Sequence, residues 1–241
     1  MSERTTTLFD IFGPVMIGPS SSHTAGVARI AFLARKIFPY PLERARVSFY
    51  GSLARTYRGH GSDKAAVAGL LGILPEDERL TYSLELAKKE GLDVEIVPVY
   101  DGPERYHPNT LVIELWGIGQ YTRVRGASIG GGEIRIESVN GFAANLNGAL
   151  DALLVIHRDE VGVIAIVSHI LAANHFNIAS VASHRKDKGE EALMRLGPHH
   201  IAQSLSLVFH IYFRSFLASL ESIARGVVPG CAQNAASFSS P

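Results

Sequence analysis

Ser20, Ser21, Ser22, His23 and Thr24 place hydroxyls and an imidazole in one unbroken run, immediately ahead of an apolar periodic segment. Val27, Ile30, Ala31, Ala34 and Ile37 recur at helical spacing, so the polar run falls where a helix begins. Such a start is an anion cradle. One serine caps the helix, the others have hydroxyls to donate, and the unpaired first-turn amides at the positive end of the dipole favour a carboxylate or phosphate. A serine-capped structural helix is the plain alternative, but the run exceeds what one cap needs. His60 stands between Gly59 and Gly61. Glycines on both sides let backbone approach a ligand, and imidazoles ordinarily titrate near neutrality, which suits them to proton transfer. A lone loop histidine is more often merely solvated. Two other connections carry polar groups: His107-Pro108-Asn109-Thr110 and Ser128-Ile129-Gly130-Gly131-Gly132. The first can orient a small polar ligand or simply make a turn, and the second can align amides into a carboxylate nest or simply close a hairpin.

The elements that must position these groups alternate between helix and strand. Arg44 to Tyr50 reads as a strand ended by Gly51, and Ser52 to Asp63 as a loop. Ser62 or Asp63 is expected to cap a helix running to Leu71. Asp77 to Gly91 reads as an amphipathic helix with Gly91 as its stop. Strands are expected over Asp93 to Tyr100, Asn109 to Trp116, Tyr121 to Ala127 and Glu133 to Val139, and Asn140 to Asp151 as a polar junction. The first domain, residues 1 to 148, is therefore α+β.

With 241 residues, 46% of them hydrophobic and 19% charged, the chain can bury cores for two modest domains. Its 23 basic and 23 acidic residues cancel, so no general field draws it to nucleic acid or a membrane surface. The single cysteine, Cys231, excludes an intramolecular disulfide, and Met1 to Thr5 lack a signal-like apolar stretch. Both suit the cytoplasm.

Gly18-Pro19-Ser20-Ser21-Ser22-His23-Thr24, Gly59-His60-Gly61-Ser62-Asp63, His107-Pro108-Asn109-Thr110 and Ser128-Ile129-Gly130-Gly131-Gly132 occur in this order. Over residues 8 to 194 the chain resembles the β subunit of iron-sulfur-dependent L-serine dehydratases. The resemblance implies dehydration of L-serine to pyruvate and ammonia without pyridoxal phosphate. A [4Fe-4S] cluster with one open iron would take up the leaving hydroxyl. By resemblance His60 matches the base that removes the α-proton. Ser20, Ser21, Ser22, His23, Thr24, Asn109, Thr110, Ser128, Gly130, Gly131 and Gly132 match substrate-binding positions. A four-iron cluster needs about three or four thiolates, and Cys231 is the only cysteine here. The resemblance therefore implies a partner α subunit carrying the cluster, no metal ligand in this chain, and a colourless preparation of the chain alone.

Ala152 to His157 starts a new strand, Val163 to Leu171 reads as a helix, and Asn177 to Arg185 as a second strand. Asp187-Lys188-Gly189 turns into a third strand from Glu190 to Met194. This resembles an ACT domain, a ferredoxin-like βαββαβ unit, over residues 152 to 196. The resemblance implies an effector site at His157, Asp159 and Asn177; a module that only pairs with copies of itself is an equal reading. Arg195 to His200 is expected to break the third strand, leaving the domain incomplete, and 197 to 241 to form an apolar helix and tail with a frameshifted or divergent character.

A non-catalytic module that senses an amino acid is the competing function. It differs by lacking a cysteine-bearing partner chain. A pyridoxal enzyme is weaker still, because no lysine sits in a Schiff-base context.

Overall fold

The computed structural model of the chain describes residues 15–147, 152–173, 175–185, 187 and 190–199. The chain enters extended at Ser20 (φ −141°, ψ 122°), and a π-turn over Ser21–Ala25 leads directly into helix α1, Gly26–Ile37. The expected apolar stripe is its buried face, with Val27, Ile30, Ala31, Ala34 and Ile37 all excluded from solvent. Each larger side chain so buried contributes about 1.5–3 kcal/mol relative to exposure. Strand β1 follows at Arg44–Tyr50.

The stretch from Ser52 to Asp63 is not a plain loop. The chain turns at Gly51 (φ 56°) into a short helix α2, Gly51–Thr56, anchored by buried Leu53 and Ala54. A Cβ on Gly51 would lie 2.7 Å from the carbonyl oxygen of Pro108, so this glycine permits a close approach rather than ending the strand. Helix α3, Ser62–Leu70, is also capped otherwise than expected. Gly61, in the left-handed region at φ 65°, is its N-cap, while Ser62 is buried and Asp63 accepts from the adjacent Lys64 amide.

The expected helix from Asp77 to Gly91 divides into a 3₁₀ turn, Glu78–Tyr82, capped by the Asp77 carboxylate, and α4, Ser83–Lys89. Buried Ser83 donates to the carbonyl of Lys64 at 2.7 Å and ties α4 to α3. Then come β2 (Asp93–Val99), β3 (Thr110–Gly117), β4 (Gln120–Gly130), β5 (Glu133–Val139) and β6 (Phe142–Leu146). Strand β6 replaces part of the expected junction. Phe142, Ala144 and Leu146 point inward and alternate with exposed Ala143 and Asn145, a period-two pattern masked by small and polar residues. The sheet order is β2-β1-β3-β4-β5-β6, with β1 and β2 parallel and every other pair antiparallel. It is thus a mixed sheet, and α1 packs on β4 and β5 with α3 beside it.

A second compact unit begins after residue 150. It holds β7 (Leu153–Arg158), α5 (Val163–Ala173), β8 (Asn177–Arg185) and β9 (Glu191–His199) in the sheet order β7-β9-β8. Leu153, Val155, Val163, Val167, Met194 and Leu196 form its core. The expected break at Arg195 to His200 does not occur, because β9 continues through Gly197 and Pro198. Beyond Leu196 it no longer pairs with β7, so Pro198 sits where the strand has β8 alone as neighbour and its missing N–H is tolerated. The expected helix from Leu205 to Ile223 and the tail lie outside the described residues. Among the described residues no helix is long and apolar enough to cross a membrane.

Candidate active site

Ser20 is the helix cap: its hydroxyl accepts from the His23 amide at 3.1 Å. Its carbonyl accepts from the amides of Thr24 and Ala25 at 2.8 and 3.3 Å. The Ser21 and Ser22 amides have no acceptor among the described residues, so they remain donors at the positive end of the helix. The Ser21 side chain likewise bonds no described group, whereas Ser22 is committed. Its hydroxyl lies 3.0 Å from His23 Nδ1, with Ser20 Oγ at 3.4 Å from the same nitrogen.

The other His23 nitrogen, Nε2, lies 2.9 Å from Ser52 Oγ at the start of α2. The His23 and His60 rings are 4.8 Å apart between centroids, tilted by 55°. The Thr24 hydroxyl donates to the His60 carbonyl at 2.9 Å, so the π-turn ahead of α1 grips the glycine-flanked turn by its backbone as well. Burial holds the His23 imidazole below its ordinary pKa, and the neighbouring His60 pushes in the same direction. His23 is thereby biased toward its neutral form.

Ser128, wholly buried on β4, meets the same helix. A Cβ on Gly26 would lie 2.1 Å from the Ser128 hydroxyl, so α1 lies on this side chain with no room for a methyl group. The Ser128 amide donates to the Asn109 carbonyl at 3.1 Å, and Thr110 is paired in register with Ala127. The glycine run is less a linker than expected. Gly130 ends β4, and Gly131 and Gly132 make the turn with φ 59° and 79°. Arg29 of α1 donates to the Gly132 carbonyl at 2.9 Å, fixing that turn to the helix.

His60 Nδ1, Ser62 Oγ, Thr110 Oγ1 and Ser128 Oγ, and His157 Nε2 in the second unit, are buried polar atoms without a hydrogen-bond partner among the described residues. Leaving such a group unpaired costs about 1–3 kcal/mol. The four in the first unit belong to the motifs singled out in the sequence, and buried polar groups left unpaired call for an explanation beyond packing.

Ser52 was not singled out from the sequence. The signal that could have found it is the glycine before it, since a left-handed glycine after a strand often redirects the chain. Ser52 also lines a cleft of about 420 Å³ with Tyr50, Arg55, Tyr106 and His107. His107 itself is spent locally, accepting through Nδ1 from the Asn109 amide at 3.1 Å.

In the second unit, His157 is buried and its Nδ1 lies 2.6 Å from the Arg158 carbonyl. Asp159 pairs with Arg185 at 3.2 Å. His157 and Arg185 share the level of Ala192 on β9, while Asn177 pairs with His199 at the other end. The unit therefore brings His157 and Asp159 together and leaves Asn177 at the opposite end of its sheet.

No group of three or more His, Cys, Asp or Glu side chains suited to a metal occurs among the described residues, and Cys231 lies outside them. The donors gathered here are hydroxyls, imidazoles and amides, which do not fit an iron-sulfur cluster held by thiolates.

The first unit is α+β, and its serine-capped helix start sets His23 beside His60, 4.8 Å between ring centroids. Residues 7–139 match the family described as Serine dehydratase beta chain, and the chain belongs to that family. It is 46% identical over 195 residues to the "Probable L-serine dehydratase, beta chain" of Bacillus subtilis (strain 168), covering 79% of this chain and 86% of that one. It is 39% identical over 174 residues to the "L-serine dehydratase, beta chain" of Peptoniphilus asaccharolyticus, covering 72% and 78%. A weaker likeness, 28% over 155 residues, links 64% of the chain to 28% of a D-3-phosphoglycerate dehydrogenase of Synechocystis sp. (strain ATCC 27184 / PCC 6803 / Kazusa).

Proposed function

We propose that this chain is the substrate-binding subunit of a cytoplasmic L-serine dehydratase, completed by a partner α subunit that carries a [4Fe-4S] cluster. The observation that carries the reading is the His23–His60 pair, 4.8 Å apart at the serine-lined helix start. Held by the partner's thiolates, such a cluster would supply the Lewis acid that the departing hydroxyl needs. This chain supplies the rest. The amides of Ser21 and Ser22 and the Ser21 hydroxyl hold the α-carboxylate, which helix-end donors favour. Ser128 and the turn at Gly130, Gly131 and Gly132, with Asn109 and Thr110 beside them, close the carboxylate side. His60 removes the α-proton, with neutral His23 beside it sparing the resulting imidazolium a second adjacent charge. Aminoacrylate then leaves and hydrolyses to pyruvate and ammonia.

The βαββ unit from Leu153 to His199, with its first and second strands flanking the third, supports the opening part of an ACT-like domain. It would pair with a second copy or take an amino-acid effector. Because Asn177 is remote from His157 and Asp159 within one copy, an effector site using all three would have to be shared between copies.

Anaerobic co-expression with a cysteine-bearing α chain, followed by a pyruvate assay and visible absorption, tests the function. Serine-dependent pyruvate from the brown complex alone is the expected result. L-Serine binding by this chain with no turnover in any such complex would establish the amino-acid-sensing module instead.

A further inference from the structure

We propose that Ser52 is a positioning residue that fixes the orientation and tautomer of His23 against His60. A neutral imidazole has one N–H donor and one acceptor nitrogen, and a serine hydroxyl can meet either; Ser20 Oγ, which accepts from the His23 amide and lies 3.4 Å from both Ser22 Oγ and His23 Nδ1, leaves its proton for the Nδ1 side and so leaves Nε2–H to donate to Ser52. His23 has a hydroxyl at each end, Ser22 at 3.0 Å from Nδ1 and Ser52 at 2.9 Å from Nε2. With both nitrogens engaged the ring cannot rotate without losing both bonds. Ser22 is its chain neighbour and moves with it; Ser52 comes from another element and is the fixed reference. The surroundings of Ser52 make it one. Its amide donates to the Pro108 carbonyl at 2.7 Å, and its carbonyl accepts from the Thr56 hydroxyl at 2.9 Å. Gly51 at φ 56° lets the backbone reverse against Pro108 and carry the hydroxyl from the end of β1 to His23. Burial and the nearby His60 favour the neutral form of His23, the form in which tautomer matters.

The catalytic consequence rests on His60 being the base, but the positioning does not, and the two are read separately. The positioning is read by nitrogen NMR of the full chain labelled at histidine, above neutral pH. The native chain is expected to show one dominant His23 tautomer. Ser52→Ala and the weakly bonding Ser52→Cys should both give a mixture of tautomers, and Ser52→Thr should restore the native signals. The His107 signals, whose Nδ1 accepts from the Asn109 amide in the same unit, report whether each variant remains folded, and the two substitutions serve as checks on one another. In the complex with the α chain, Ser52→Ala should lower kcat roughly tenfold or more, as misplacement of a catalytic group does, with KM little changed and Ser52→Thr recovering. Native His23 signals in the folded Ser52→Ala or Ser52→Cys chain would overturn the proposal. A scrambled tautomer with unchanged kcat would leave Ser52 as the positioning residue and remove the His23–His60 pair from the proposed chemistry.

Discussion

At the scale of single residues, the serines divide into roles that their identity alone conceals. Ser20 is spent on the cap and Ser22 on His23, whereas the Ser21 hydroxyl has no partner among the described residues. Ser21→Ala is therefore expected to raise KM for L-serine with little effect on kcat, since a carboxylate anchor holds ground state and transition state alike. A pure kcat defect, measured on the assembled complex, would move Ser21 to the reacting atoms. His60→Ala should behave oppositely, losing about 100- to 10,000-fold in turnover while serine still binds; near-native pyruvate production would exclude His60 as the base. His23 predicts a pH dependence of stability. Its folded pKa lies below the ordinary 6.5, so between the two values the unfolded chain binds more protons and stability rises with pH. Acidification through that window should lower the melting temperature, the penalty becoming complete below the folded pKa. His23→Asn should remove this component, and identical melting curves against pH for the two chains would show that His23 carries none of it.

At the scale of elements, the contact between α1 and β4 is set by the absence of one methyl group. In an exposed helix, Gly to Ala would gain about 1 kcal/mol from propensity. At Gly26 the new Cβ would fall 2.1 Å from Ser128 Oγ and 2.7 Å from Ser128 Cβ, both on a buried strand. Overpacking of that kind typically costs about 1–3 kcal/mol, so the steric effect wins. Gly26→Ala should destabilise the chain in urea unfolding and weaken serine binding, and Gly26→Ala with Ser128→Gly should recover stability. A stabilised single variant would mean the helix can shift freely off the sheet. The α1 stripe and the β-branched strands were legible from periodicity. Helix α2, β6 and the end of β9 were not. Each carries a residue that punctuates on its own: Gly51 at a strand end, Asn145 in a strand, Pro198 in a central strand. What neutralises each is a neighbour distant in sequence, namely Pro108 beside Gly51, β5 beside β6, and the withdrawal of β7 from β9.

At the scale of the whole molecule, the motifs proposed to hold substrate all precede Val139, and the family match ends at that residue. The second unit starts after residue 150 with its own core. Chemistry and any regulation should therefore be separable. A chain ending at His199, which keeps β9 whole, is expected to retain serine dehydration in the complex with the α chain. Loss of pyruvate production together with loss of α-chain binding would show that residues 200–241 contribute to the subunit contact.

The sequence by itself determined the helix start and its hydroxyls, the strand-rich first unit, the βαββ order of the second, and the want of thiolates for a cluster. These are local or compositional properties, written in spacing and residue type. Tertiary structure alone decided which of those groups meet. His23 and His60 are brought together because α1 and α3 pack side by side, and Ser52 joins them because Gly51 turns the end of β1 back against Pro108. In the second unit it is strand register that leaves Asn177 at the far end of its sheet from His157. Such meetings depend on sheet order and on close backbone approach, which residue periodicity does not encode.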